Sequence, residues 1–315
     1  MTLTIGVDVG GTKVAAGVVD EAGAVLAQTR RDTPADDVAK TRDVIIEAVA
    51  ELARGREIEA VGIGAAGWID ATRSTVLFAP NIAWRDEPLR DYVTAATGLP
   101  VIVENDGNAA AWAEFRFGAA RHAEDSMVMY TIGTGVGGAI VLGGELVRGT
   151  HGVAAELGHM LAVPDGHLCG CGRHGCLEQY ASGNALVRFA RAGARQDPSS
   201  AAALLDLADG DAEAITGPMV TAAAMEGDPV SRQAFAQIGH WLGVALADMV
   251  QILDPQMLVV GGGVVEAGEL LLGPTRRSFM DSLAQRVRVP VAEIKAAEMG
   301  NAAGVVGAGD LARRR

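Results

Sequence analysis

The sequence predicts an α/β protein built from two related halves, and three observations carry that prediction. A strand, a glycine-rich hairpin and a second strand occur twice, over Leu3–Val19 and again over Met127–Leu142, and an internal repeat of this kind marks a duplicated domain. Apolar runs of strand length are interspersed with stretches of helical periodicity. The chain has 315 residues, 49 % of them apolar, which is enough for two cores and unlike a disordered composition. The natural place for a ligand is the cleft between two such halves.

The elements follow in order. Leu3 to Val9 is an apolar strand, broken by Gly10-Gly11. Lys13 to Val19 is apolar again, and Ala24 to Thr29 follows a turn at Glu21-Ala22-Gly23. Asp36 to Ala53 has helical periodicity through Val38, Val44, Ile45, Val49 and Leu52. Ala60 to Ala65 and Ser74 to Phe78 read as strands. Val101 to Val103 is a strand aimed at Glu104-Asn105-Asp106, and Ala109 to Phe117 is a helix. The second copy then runs from Met127 to Arg148. The C-terminal half is more helical: Pro229 to Leu253 is one long periodic stretch, stopped at Asp254-Pro255. Met257 to Val260 is a strand, and Ala302 to Arg313 a final helix.

Net charge is −13, from 26 basic and 39 acidic residues. That balance disfavours a general nucleic-acid or membrane-surface binder. No apolar run is long enough to span a membrane, and the start reads as a strand, not a signal peptide. A cytoplasmic location is expected. The three cysteines all fall between Cys169 and Cys176, a cluster that suits a metal site better than a disulfide framework.

Two glycine turns have the chemistry of phosphate loops. In Asp8-Val9-Gly10-Gly11-Thr12-Lys13 the glycines let backbone N–H groups approach an anion, Thr12 adds a hydroxyl, and Asp8 suits a hydrated Mg²⁺. The order Thr12-Lys13 and the strand that follows exclude a P-loop; a plain hairpin is the bland alternative. Gly133-Thr134-Gly135 repeats this chemistry after the second copy's first strand. Gly62 to Gly67 matches the dinucleotide fingerprint literally but opens no helix, so it reads as a strand passing close to a ligand. Gly261-Gly262-Gly263 offers bare backbone to a nucleotide base or ribose, or is simply a turn.

Two further segments leave alternatives open. Asn105, Asp106 or Asn108 suits the N-cap of the following helix, while a carboxylate between a strand end and a helix start is also placed to accept a proton. Cys169, Cys171 and Cys176 supply three thiolates in C-x-C-x₄-C spacing, which favours a closed structural site. A fourth ligand has to come from His159, His167 or His174; His167 sits close to Cys169, and His174 lies inside the loop.

With the motifs Asp8–Lys13, Glu104-Asn105-Asp106-Gly107-Asn108-Ala109, Glu156-Leu157-Gly158-His159 and Cys169–Glu178, the chain resembles the ROK family of sugar kinases. It is most similar to the zinc-containing, ATP-dependent glucokinases of actinobacterial type, from about Thr4 to the tail. One departure is Gly107, where those enzymes often carry alanine.

The resemblance implies an actin-like ATPase (ribonuclease H-like) fold: a smaller domain of residues 1–115 plus 301–315 and a larger one of 116–300. It implies transfer of the γ-phosphoryl group of ATP, with Mg²⁺, to the 6-hydroxyl of glucose, with Asp106 as general base. Asn105, Glu156, His159 and Glu178 would bind sugar hydroxyls, with the backbone near Gly67 and Asn81 as further candidates. Asp8, Gly10, Gly11, Thr12 and Lys13, then Gly133, Thr134 and Gly135, would hold the phosphates, and Gly261, Gly262 and Gly263 the nucleoside. His159 would complete a structural Zn²⁺ site with Cys169, Cys171 and Cys176, its other ring nitrogen facing the sugar. A homodimer or homotetramer without nucleic acid is expected. Sugar-responsive repressors of the family carry an N-terminal DNA reader, for which there is no room before Asp8. A kinase for another hexose is the closest rival, and polyphosphate as donor would need a Lys/Arg run that the sequence lacks.

Overall fold

The computed structural model describes residues 2–314. Thirteen strands and ten α-helices are assigned among them. The first half carries β1 (Leu3–Val9), β2 (Lys13–Val19), β3 (Val25–Asp32), α1 (Val38–Ala53), β4 (Ile58–Ala65), β5 (Trp68–Ile69), β6 (Val76–Phe78), β7 (Arg85–Glu87), α2 (Leu89–Thr97), β8 (Val101–Asn105) and α3 (Asp106–Arg116). After it come β9 (Met127–Ile132), β10 (Val136–Leu142), β11 (Glu145–Leu146), α4 (Glu178–Ala181), α5 (Gly183–Gln196), α6 (Ala202–Leu207), α7 (Gly217–Glu226) and α8 (Pro229–Leu253). The chain closes with β12 (Met257–Gly261), α9 (Glu269–Leu283), β13 (Glu293–Ala296) and α10 (Ala303–Ala312).

The repeat seen in the sequence is a repeat of topology. One five-stranded sheet has the order β3-β2-β1-β4-β8 and the other β11-β10-β9-β12-β13. In the first, β1, β2 and β3 form an antiparallel meander, and β4 and β8 add in parallel. Such parallel strands must be covered on both faces. One face carries α1 and α2, with Ile5, Val7, Ile45, Val49, Ile63 and Val93 buried in one core. The other carries α3 and α10, packed through Val19, Ala113, Val305 and Val306. The glycines that imitate a dinucleotide fingerprint serve this packing: a Cβ on Gly62 would stand 1.8 Å from the carbonyl oxygen of Ala308 in α10. Helix and sheet approach so closely that only glycine fits.

The chain forms two compact units. One holds the residues up to Met127, Ala139–Ala155 and those from Glu298 on; the other holds Val128–Gly138 and Glu156–Ala297. The division differs from the expected boundaries at 115/116 and 300/301. Buried Glu114 accounts for part of the difference, accepting bonds from the amides of Ala119 (2.8 Å), Glu298 (3.0 Å) and Met299 (2.7 Å). Its carboxylate thereby ties the stretch after α3 to the lead-in of α10. In the second unit α8 buries Ala234, Ile238, Leu242 and Met249 along one stripe and packs against α9. Among the described residues no helix is long and apolar enough to cross a membrane.

Candidate functional site

Asp106 stands where β8 gives way to α3. The helix begins at Asp106 itself, three residues earlier than its apolar pattern suggests, because Asn105 takes the cap: Asn105 Oδ1 accepts from the Asn108 amide at 2.9 Å. That settles the choice among three capping residues and releases the Asp106 carboxyl. Its Oδ1 accepts from the Gly107 amide (2.9 Å) and from Asn105 Nδ2 (3.1 Å). Two donors from its own segment thus hold Oδ1 in place. Burial raises the Asp106 pKa, against the Gly107 hydrogen bond, which lowers it. Asn105 Nδ2 also donates to the Gly67 carbonyl at 3.0 Å, bringing the Gly67 backbone to this corner.

Asp8 is the next-to-last residue of β1, in the same unit. Burial lifts its pKa to about 6, the charge of Asp106 adds to the rise, and Lys13 opposes it. The turn after it closes with Gly10 N–H donating to the Lys13 carbonyl at 2.9 Å. Thr12 is exposed. Asn81 lies against this turn, since a Cβ on Gly11 would meet Asn81 Cβ at 2.9 Å. Lys13 lines an open cavity of about 480 Å³ with Arg30 and Asn301.

In the second unit the corresponding turn closes with Gly133 N–H donating to the Gly135 carbonyl at 3.0 Å, and Thr134 is exposed at its tip. Glu178, expected on the sugar, is bound to this turn: Oε2 accepts from the Val136 amide at 3.2 Å. A Cβ on Gly135 would lie 2.3 Å from that oxygen, so any side chain there would push the Glu178 carboxylate aside. The amide of Gly183, first residue of α5, donates to the Gly133 carbonyl at 2.8 Å. A Cβ at Gly183 would come within 3.4 Å of Val264, next to the Gly261–Gly263 turn. The two glycine turns and the α5 start are therefore neighbours.

From this corner a cavity of about 500 Å³ opens, lined by Asn184, Val187, Arg188, Arg191, Thr216 and Gly217, with others. Sequence reasoning missed it. The arginines stand three and four apart (Arg188, Arg191, Arg195), so they share a face of α5 without forming a run.

His159, Cys169, Cys171 and Cys176 bring one ligand atom each to within 4.8 Å of one another. Cys171 and Cys176 Sγ are 3.6 Å apart, and Cys169 Sγ is 3.7 Å from His159 Nδ1. Thiolates about 2.3 Å from a tetrahedral zinc lie ~3.8 Å apart, so the set fits Zn²⁺. Burial pushes the Cys169 thiol up to about 12, so a cation is what would hold it as thiolate. Neither rival histidine joins the cluster: His167 packs on the Tyr180 ring at 5.6 Å, and His174 is exposed. Glu178 Oε1 lies 3.4 Å from Cys169 Sγ, so this residue touches both the cluster and the phosphate-type turn. Glu156 is exposed, just ahead of the short helical turn that carries His159.

A model of the ROK family matches residues 4–315. A glucokinase of Streptomyces coelicolor is 51 % identical over 99 % of this chain and 98 % of its own length. A glucokinase of Thermotoga maritima is 37 % identical, with 99 % and 97 % covered. Among solved structures, a ROK family glucokinase from Streptomyces griseus, in complex with glucose and AMPPNP, superposes with a TM-score of 0.85 at 52 % identity, covering 99 % of this chain and all of that one.

Proposed function

This chain belongs to the ROK family, of the actin-like ATPase fold, and on that premise we propose that it is an ATP-dependent glucokinase, making glucose 6-phosphate and ADP. The observation that carries the chemistry is the Asp106 carboxyl. With Oδ1 fixed by two donors, Oδ2 is oriented to accept the 6-hydroxyl proton as that oxygen attacks the γ-phosphorus. Asn105 both donates and accepts, and it aligns a neighbouring hydroxyl as well as Asp106.

The donor is ATP with Mg²⁺. Asp8 above pH 6 is an anion suited to hydrated Mg²⁺, and Thr12, Thr134 and the amides of the two glycine turns stabilise the phosphates. The adenosine half occupies the cavity beside Asn184, where Val187 offers an apolar wall and Thr216 and Asn184 offer polar contacts. The Gly261–Gly263 turn borders it. His159, Glu156 and Glu178 pair with sugar hydroxyls, and such an array rejects a sugar lacking one of them. His159 turns Nδ1 to the cysteines, which leaves Nε2 for a hydroxyl. Zinc in the Cys₃His set would act structurally, fixing the loop from Cys169 to Glu178 and the tautomer of His159. A cytoplasmic homodimer or homotetramer completes the reading, and sedimentation analysis tests the assembly.

The deciding experiment is ADP release measured with a panel of hexoses. Glucose should give the highest kcat/KM; a preference for N-acetylmannosamine, fructose or allose would overturn the substrate assignment. An Asn184→Ala enzyme should raise the KM for ATP and leave that for glucose unchanged.

A further inference from the structure

We propose that Glu104 is a positioning residue for phosphoryl transfer and that Arg148 is its partner in that role. The inference rests on the assignment of Asp106 as the base.

Glu104 is 1 % exposed, and a carboxylate so placed is tolerated only when both oxygens are satisfied. Oε1 accepts from the Asn105 amide at 2.9 Å and from Asn108 Nδ2 at 3.0 Å. These are the residues that orient the base. Asn108 N–H in turn fixes Asn105 Oδ1, and Asn105 Nδ2 fixes Asp106 Oδ1. Glu104 is thus the root of a chain of hydrogen bonds that ends on the reactive carboxyl.

Oε2 faces two guanidinium groups, with Arg73 Nε at 3.1 Å and Arg148 Nε at 2.8 Å. Arg148 is itself pinned, its Nη1 donating to the Ala71 carbonyl and its Nη2 to that of Asp70, both at 2.9 Å. Arg73 is anchored through its backbone, whose carbonyl accepts from the Val103 amide in β8 at 3.0 Å. The carboxylate therefore cannot rotate without unpairing two half-buried cations. Buried ion groups of this kind contribute little net stability compared with apolar packing, while they fix geometry. Arg148 also belongs to the segment that leads to Glu156.

The test uses the full-length enzyme with Arg148→Lys, Arg148→Met and Glu104→Gln. Arg148→Met should lower kcat by ~10-fold or more, the scale of a small misplacement of reacting groups, with KM for glucose and ATP within about threefold of wild type. The acid limb of the pH profile of kcat/KM should move. Lysine should restore part of the loss, and Glu104→Gln combined with Arg148→Met should be no worse than the poorer single variant. If both Arg148 variants keep wild-type kcat and an unmoved acid limb, whatever their melting temperatures, the proposal is wrong. Should Glu104→Gln fail to fold, the Arg148 variants still decide. Asp106→Asn run in parallel separates the two readings. Activity there would sink the base assignment itself, whereas an inactive Asp106→Asn beside normal Arg148 variants sinks only the positioning role.

Discussion

Asp106 acts on Asp8 as a like charge within one buried corner, and Asp8, already lifted by burial, reaches a pKa of about 6. Below pH 6 Asp8 is protonated and loses the charge that would attract Mg²⁺, so KM for Mg·ATP should rise as pH falls through 6. Removing the second charge with Asp106→Asn should move that rise to lower pH in nucleotide-binding titrations. Stability has the opposite sign. A carboxyl whose folded pKa is raised binds a proton that the unfolded chain has already released, so stability falls as pH climbs from 3.8 to about 6. Roughly 3 kcal/mol is at stake for Asp8. Asp8→Asn should flatten this part of the stability-versus-pH curve; an unchanged slope would rule out Asp8 as its source.

Asp106→Asn retains the Oδ1 acceptor and removes the proton acceptor. We expect kcat to fall by ~10² or more, with sugar affinity changed only modestly, as measured by single-turnover assays and glucose titration. Near-normal turnover would refute the base.

Cys171→Ser should lower the bound zinc, read by elemental analysis, and reduce the melting temperature, since metal binding is coupled to folding in such loops. Glu178 contacts Cys169 and the Val136 amide, so the effect should reach both substrates: KM for glucose and for ATP should each rise. A metal-depleted variant with wild-type KM for glucose would remove zinc from any part in sugar binding.

Gly135→Ala places a methyl group 2.3 Å from Glu178 Oε2. The carboxylate must leave the Val136 amide, and the turn loses its support. KM for ATP should increase by about tenfold, the worth of one hydrogen bond to a charged group. Gly133→Ala is the control, because a Cβ there meets nothing within 4 Å.

Much of this was legible in the sequence because it is local. The two hairpins, the cysteine cluster and Asn105-Asp106 are each defined by residues a few positions apart. What escaped depends on contacts across long separations. Glu104 could be flagged as a carboxylate at the end of an apolar strand, yet nothing near it in sequence names Arg73 or Arg148. The attachment of Glu178 to the Val136 amide was hidden as well, because it spans a loop. The arginines of α5 were overlooked because a search for a basic run does not see a helical stripe. Part of the difference in domain boundaries comes from a buried carboxylate, Glu114, which gathers the amides of Ala119, Glu298 and Met299.

The way α10 lies across β1 and β4 has a consequence for biogenesis. On the ribosome the strands bearing Asp8 and the Asp106 corner are made well before the helix Ala303–Ala312 that covers one face of their sheet. That face must wait, exposed, until those residues have been made. A chain truncated ahead of Ala303 would leave it uncovered for good, and the product would be a substrate for chaperones and proteases in place of a shortened enzyme.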